Sequence, residues 1–366
     1  MTEAGQAVST AYRTLLCKTV DENWRRCEAE LDARLVPMPL ASRAAWAQCV
    51  PGADNWFVAA LESDGRAAAG FAMARHRSNA LPGHVIARVD RAGSSILSPA
   101  GQHVIRAMCD AVRADPRTLE LQLELVLRTG AEHEHAASQL AALGFEKRPA
   151  PRHYRDTLVV DLTPSRDDVF AAFSTKTRRD IRQGEKQPVE VRLITDVRFA
   201  PRLAALNAET MSRTGGEAAS APWAERIALS AAIPDRSRLV GLFRAGEDGV
   251  DSLLAFAWGG CHGDFAHYDS AGSTRATDLK VALNYPLLWD LIQWAQQQGA
   301  SWFDLGGVTL GTHDSADPLG GISDFKRWFS KELAAIGEDW VLYPHPGRSA
   351  IASGLRRAHR LLGRRA

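Results

Sequence analysis

Hydrophobic and polar positions recur along this chain in two similar series. WFVAAL and RAAAGFAMAR flank an Asp64-Gly65 turn, a strong hairpin pattern. RLVGLF and DSLLAFAW flank Asp248-Gly249 in the same way, an offset of 184 residues between Asp64 and Asp248. HVIRAMCDAV then places Val104, Ile105, Met108 and Val112 on one helical face, as PLLWDLIQWA places Leu287, Leu288, Leu291 and Ala295. TLELQLELVL alternates strictly, with leucine at 119, 121, 123, 125 and 127, and SWFDLGG follows in the matching place. Hairpins, helices and strands are common parts, but three of them in one order at a nearly constant offset point to duplication.

Each copy reads as helices, antiparallel strands, a helix crossing to another strand, and a last helix and strand. This is an α+β pattern, a sheet with helices packed against it. The predicted division is 1–160 for the first domain, 161–345 for the second and 346–366 for a tail, with Thr163 as N-cap and Pro164 at the first helical position. In the tail, Ile351, Leu355, Ala358 and Leu362 line one face of a helix otherwise rich in arginine. Such a segment can lie on an anionic membrane or RNA phosphates, or dock its apolar face on the body of the protein.

At 366 residues, with 45% hydrophobic and 24% charged content, the chain suits two globular domains. The expected location is the cytoplasm, with peripheral contact at the inner membrane surface through the tail, because there is neither an apolar run of membrane-spanning length nor a signal-peptide pattern. The net charge is +1, yet residues 347–366 hold six arginines and no carboxylate, which makes the tail a distinct electrostatic element. The five cysteines are scattered without a C-x-x-C, and His133 and His135 stand two apart without an H-E-x-x-H, so neither a disulfide framework nor a metal site is expected.

Candidate chemistry concentrates near the end. SWFDLGGV at 301–308 reads as a buried strand entering a Gly-Gly turn, and GGISDFKRWFSKEL at 320–333 as a short helix presenting Phe325 and Lys326 side by side. Asp304 and Lys326 are expected to face a common space. A fixed cation in a dehydrated cleft stabilises the oxyanion formed when an amine attacks an ester or thioester, which Lys326 could do. The plainer alternative is an amphipathic helix with Phe325, Trp328 and Phe329 packed inward and a surface lysine. Asp304 requires a partner if buried, and is expected to brace Lys326 or a backbone turn, or to accept a proton.

FSTKTRRDIRQGEK, with Ser174 as N-cap, lines up Lys176 and Arg179 on one stripe, which reads equally as a solvated face or as a contact for phosphates. Thr210 and Arg213 stand at i, i+3 before a glycine pair. Arg213 could clamp a carboxylate or pyrophosphate, or stabilise the end of its own helix.

These segments, with HYDSAG at 267–272 and NYPLLWDLIQWAQQQGASWFDLGGV at 284–308, resemble the Fem family over most of 155–342. The resemblance implies two tandem GNAT-like domains and transfer of an aminoacyl group from aminoacyl-tRNA to an amine acceptor, a peptidoglycan precursor or a small metabolite. It also implies a Phe-Lys pair at the reacting ester, here Phe325 and Lys326, with Tyr268 of HYDSAG among the substrate-binding residues; no cofactor and no DNA partner are implied. Two features depart from the family: no heptad insertion forms a helical arm, and acceptor-binding residues of the first domain find no match. The first-copy counterpart of Lys326 is Leu143, so only the second domain is expected to be catalytic.

An acyltransferase using acyl-CoA or an acyl-carrier protein is the alternative. A CoA pyrophosphate requires a glycine-rich loop leading into a helix, whereas AGSTRATDLKVALNY has no glycine after Gly272. A non-enzymatic RNA or membrane module would explain the tail and leave 301–333 without a purpose.

Overall fold

The computed structural model describes residues 12–363 apart from 51, 53, 215–220, 276, 280, 313–316, 318 and 319. The first half contributes β1 (Arg13–Cys17), α1 (Glu22–Ala33), α2 (Ala44–Cys49), β2 (Asp54–Leu61), β3 (Ala67–Arg77), β4 (Val85–Ala92), α3 (Pro99–Ala114), β5 (Thr118–Val126), α4 (Gly130–Ala142) and β6 (Glu146–Lys147). The second half contributes β7 (Asp156–Asp161), α5 (Arg166–Ala172), α6 (Thr175–Gly184), β8 (Val189–Leu193), α7 (Ala200–Thr214), α8 (Trp223–Ala232), β9 (Ser237–Arg244), β10 (Leu253–Cys261), β11 (Phe265–Ser273), α9 (Asn284–Gln297), β12 (Trp302–Gly307), α10 (Gly320–Arg327) and β13 (Leu333–Ala335). The chain ends in β14 (Gly337–Leu342) and α11 (Pro346–Gly363).

The strands form two mixed seven-stranded sheets, ordered β1-β2-β3-β4-β5-β14-β6 and β8-β9-β10-β11-β12-β7-β13. The orders correspond place for place. In each sheet the fourth and fifth strands run parallel, β4 with β5 and β11 with β12, and a crossover helix, α3 or α9, joins them. The predicted helical faces are buried as expected: Val104, Ile105, Met108 and Val112 in one core, and Leu287, Leu288, Leu291 and Ala295 in the other. Gly65 takes φ +90°, the left-handed conformation its turn requires.

The sixth place in each sheet corrects the predicted division at 160. β7, whose six residues were assigned mostly to the first domain, pairs antiparallel with β12 and β13 of the second sheet. β14, assigned to the second domain, pairs with β5 and β6 of the first. Relative to a division at 160, each side therefore lends the other a strand, and residues 337–363 return to the first sheet. The helix predicted from Pro164 begins at Arg166 instead, capped by Ser165, while the Thr163 hydroxyl bonds Asp161.

The tail helix docks, though not on the predicted face. Ser349 Oγ donates to Leu119 O at 2.6 Å and Ala352 is fully buried, whereas Ile351 is 60% exposed. The side chains of Ala358 and Leu362 lie outside the described residues.

Candidate active site

The site is made by two parallel strands that part. β11 and β12 pair from Phe265 with Trp302 as far as His267 with Asp304. Beyond that point β11 follows β10, while Gly307 of β12 turns to pair with Thr157 of β7. The gap opens into a cavity of about 800 Å³ lined by Tyr268, Asp269, Arg213, Phe325 and Lys326, among others.

Lys326 enters the gap from α10. Its Nζ donates to Gly307 O at 2.7 Å and lies 6.0 Å from the Tyr268 ring centre. Gly306 adopts φ +80°, and a Cβ there would stand 3.0 Å from Nζ, so the glycine both permits the turn and leaves room for the ammonium. Lys326 is only 6% exposed, and burial pushes its pKa down to about 8 against the opposing field of Asp304. The inward lysine is therefore neither a surface residue nor an ordinary ion-pair member. Phe325 packs edge-on against Tyr285 at 5.1 Å and Phe329 at 5.4 Å, while Trp328, predicted inward in the plainer alternative, remains partly exposed.

Asp304 does not face the cavity, which corrects the expectation of a shared space with Lys326. It is wholly buried, accepting from Thr157 Oγ1 at 2.6 Å and from Gly306 N at 2.8 Å, while the Tyr154 hydroxyl donates to its other oxygen. Arg91, on β4 of the first sheet, stands 3.6 Å away. Asp304 thus braces the Gly306 turn that Lys326 needs. Burial and the neighbouring Asp304 charge raise the Tyr154 hydroxyl well above its ordinary pKa, so Tyr154 remains a donor. Tyr154, Thr157 and Arg91 carry no sequence signal, because only contacts between distant segments, β7 with β12 and β4 of the other sheet, bring them to Asp304.

Thr210 and Arg213 reach the cavity wall, where they are also tied to β11. Ser273 N donates to Thr210 Oγ1 at 3.0 Å, and Arg213 Nη1 donates to Ser273 O at 2.9 Å and to Glu209 at 3.2 Å. Lys176 and Arg179 stand off the cavity lining. Lys176 touches it indirectly, donating to the Tyr285 hydroxyl at 3.1 Å and to Asp180 at 2.5 Å, whereas Arg179 is largely exposed beside Asp180. His133 bonds Leu127 O and His135 bonds Gln139, and among the described residues no cluster of His, Cys, Asp and Glu could hold a metal.

Residues 171–327 match the family model described as "Acetyltransferase (GNAT) domain", a span that contains the parting strands and the Phe325-Lys326 pair. The crystal structure of FemX superposes with a TM-score of 0.71 at 14% identity, covering 93% of this chain and all of that one. The chain has the tandem fold of FemX. L-PGS from Bacillus licheniformis superposes with a TM-score of 0.50 at 14% identity, covering 95% of this chain and 98% of that one. No curated protein matches the chain significantly in sequence. The second half opens its sheet between two parallel strands, whereas in the first half β4 and β5 pair from Val85 with Thr118 to Ala92 with Leu125.

Proposed function

We propose that this protein transfers an aminoacyl group from aminoacyl-tRNA to an amine, forming an amide, with the second domain as the catalytic one. The observation that carries this reading is the Lys326 ammonium held in the gap between β11 and β12, in one cavity with Phe325 and Tyr268. A substrate carbonyl in that gap would develop negative charge on oxygen as the amine attacks. A nearly desolvated ammonium favours that charge more than it favours the neutral ester. Phe325 offers an apolar face to the aminoacyl side chain or to the terminal adenine. Asp304 acts as a brace rather than as a proton acceptor.

Acyl transfer from CoA is the second reading, favoured by the GNAT domain match. Against it stands the segment after β11, which lacks glycine between Gly272 and Gly299 and leads to α9 with Leu283 at its N-cap and no side-chain capping bond. That offers a pyrophosphate none of the exposed glycine backbone it uses elsewhere. The acceptor is an amine, either a cell-wall precursor or a small metabolite, and α11 brings the arginine-rich tail to the first domain, where it could meet tRNA or an anionic membrane. Incubation with tRNA pools charged with each labelled amino acid, together with cell extract, tests the reading. Consumption of one ester with label appearing in an amide is expected. Consumption of acyl-CoA with every charged tRNA left intact would overturn it.

A further inference from the structure

A chain of polar groups runs behind the cavity from the first half of the protein. The Leu40 backbone N–H donates to His262 Nδ1 at 3.1 Å, and His262 Nε2 stands 2.9 Å from His267 Nδ1. His267 Nε2 stands 3.7 Å from Asp269 Oδ1. A backbone amide can only donate, so His262 must accept at Nδ1 and carry its proton on Nε2. His267 then accepts at Nδ1 and keeps its own proton on Nε2, facing the carboxylate. Burial pushes both imidazoles below their ordinary pKa, with Arg91 adding to the effect, so the neutral tautomers fixed by Leu40 are the ones present.

His267 therefore offers Asp269 a neutral N–H rather than a positive charge. Asp269 is 36% exposed, and its carboxylate opens on the cavity that holds Lys326 and Phe325. Among the described residues no Lys or Arg stands within ion-pair distance of it, and His267 meets it only through that neutral N–H. Two guanidinium groups influence it from farther away: Arg226, stacked 3.9 Å over Trp258, and Arg91, engaged with Tyr154 and Asp304. Burial opposes ionisation of Asp269, but the N–H of His267 and these two arginines hold its pKa below the ordinary carboxylate value and keep it ionised. Lys326 meanwhile repels any second cation brought into the cavity. A substrate that must enter as an ammonium needs an anion on the cavity wall, and Asp304 is fully buried and occupied.

We propose that Asp269 is the ammonium-binding carboxylate of this cleft, seating the primary ammonium of a substrate in the cavity that Lys326 also lines, with the His267 N–H, backed by His262, turned toward the carboxylate. The proposal rests on the transferase reading for its place in a reaction, though not for the binding itself. The ammonium belongs either to the α-amino group of an aminoacyl donor or to the amine of the acceptor, and each source has its own probe. The donor probe is a short RNA hairpin ending in a non-hydrolysable 3′-amide-linked alanine, compared with its N-acetylated form. The acceptor probe is a lysine-containing peptide, compared with its Nε-acetylated form.

Equilibrium binding is read by calorimetry on the full chain. The wild type is expected to prefer the free-ammonium member of one pair by at least about tenfold, the scale of a charge-assisted hydrogen bond. Asp269→Asn should erase that preference and Asp269→Glu should retain part of it. The pair that shows the effect identifies the source. A preference that survives Asp269→Asn, or no preference in either wild-type pair, overturns the proposal. Loss of the preference in Asp269→Asn with no aminoacyl ester ever consumed would support the subsite while removing the transferase reading.

Discussion

Replacing Lys326 by Met removes one charge from a nearly closed space while keeping chain length and apolar bulk, so it separates what the lysine does for folding from what it does for chemistry. The ammonium falls from its ordinary pKa of 10.5 to about 8 because burial disfavours the charged form. At 1.36 kcal/mol for each tenfold change in proton affinity, that fall represents a cost of about 3 kcal/mol to the folded state at neutral pH. Between pH 8 and 10.5 the unfolded chain binds more protons at this position than the folded one, so wild-type stability should rise with pH across that window. Below pH 8 both states are protonated and the cost is constant. Met avoids the cost but leaves Gly307 O without its donor, an offset of about 1–2 kcal/mol. The variant should therefore be more stable than the wild type by about 1–2 kcal/mol at pH 7, and the advantage should disappear by pH 10. Denaturant titrations of both proteins at pH 7 and 10 read this difference directly, and turnover should fall roughly 10²–10³-fold in the same variant. A variant less stable than the wild type at pH 7, or a stability difference that does not change with pH, would refute the reasoning.

If the ammonium is the working form of Lys326, kcat under saturating substrates should decline as pH rises through about 8; a rate that keeps rising to pH 9.5 would contradict this. Asp304→Asn should cost about 1–3 kcal/mol, because one carboxylate now serves Thr157, Tyr154 and the Gly306 amide at once. Activity should fall only in proportion to the folded fraction, as thermal melts and rates on the same samples will show. Truncation after Gly347 should cost the first sheet about 1–2 kcal/mol through loss of the Ser349 bond to Leu119 and the buried Ala352. It should also flatten the salt dependence of binding to tRNA or anionic vesicles, and an unchanged salt slope would leave α11 as a latch alone.

The sequence made legible whatever rests on local pattern. The Asp64-Gly65 turn, the apolar faces of α3 and α9 and the leucine alternation in β5 each need only a short window and appear where they were expected, whereas Asp248-Gly249 lies in a longer connection from Arg244 to Leu253 in which Gly246, not Gly249, is left-handed. The strand exchange was hidden because pairing β7 with β12 and β14 with β5 depends on contacts between distant segments, and either strand suits either sheet. The polar face of β5 shows the same limit: Glu120, Gln122 and Glu124 look like solvent-facing partners of the leucines, yet all three are buried under Arg148, Arg88 and His153. Lys326 was singled out by the resemblance to the Fem family, since the pattern alone favours an amphipathic helix with Phe325, Trp328 and Phe329 inward and a surface lysine; its burial is what the sequence does not show. Asp304 was found for the right reason, an ionisable residue in an apolar strand, but its orientation could not be read, since its partners come from β7, the segment before it and β4. Asp269 stood in plain view within HYDSAG and drew no attention, because a carboxylate near a strand end is ordinary until the histidine behind it is placed.

The central claim is that the carbonyl reacting beside Lys326 belongs to an aminoacyl ester. A competition reaction supplies the enzyme with equal concentrations of an aminoacyl-tRNA pool and acetyl-CoA carrying different isotopic labels, together with cell extract, and mass spectrometry follows which label enters new amides. The account predicts the aminoacyl label in an amide with the wild type and its loss with Lys326→Met, while acetyl-CoA stays intact in both. Acetyl label in the product, or aminoacyl label formed equally by Lys326→Met, would contradict it.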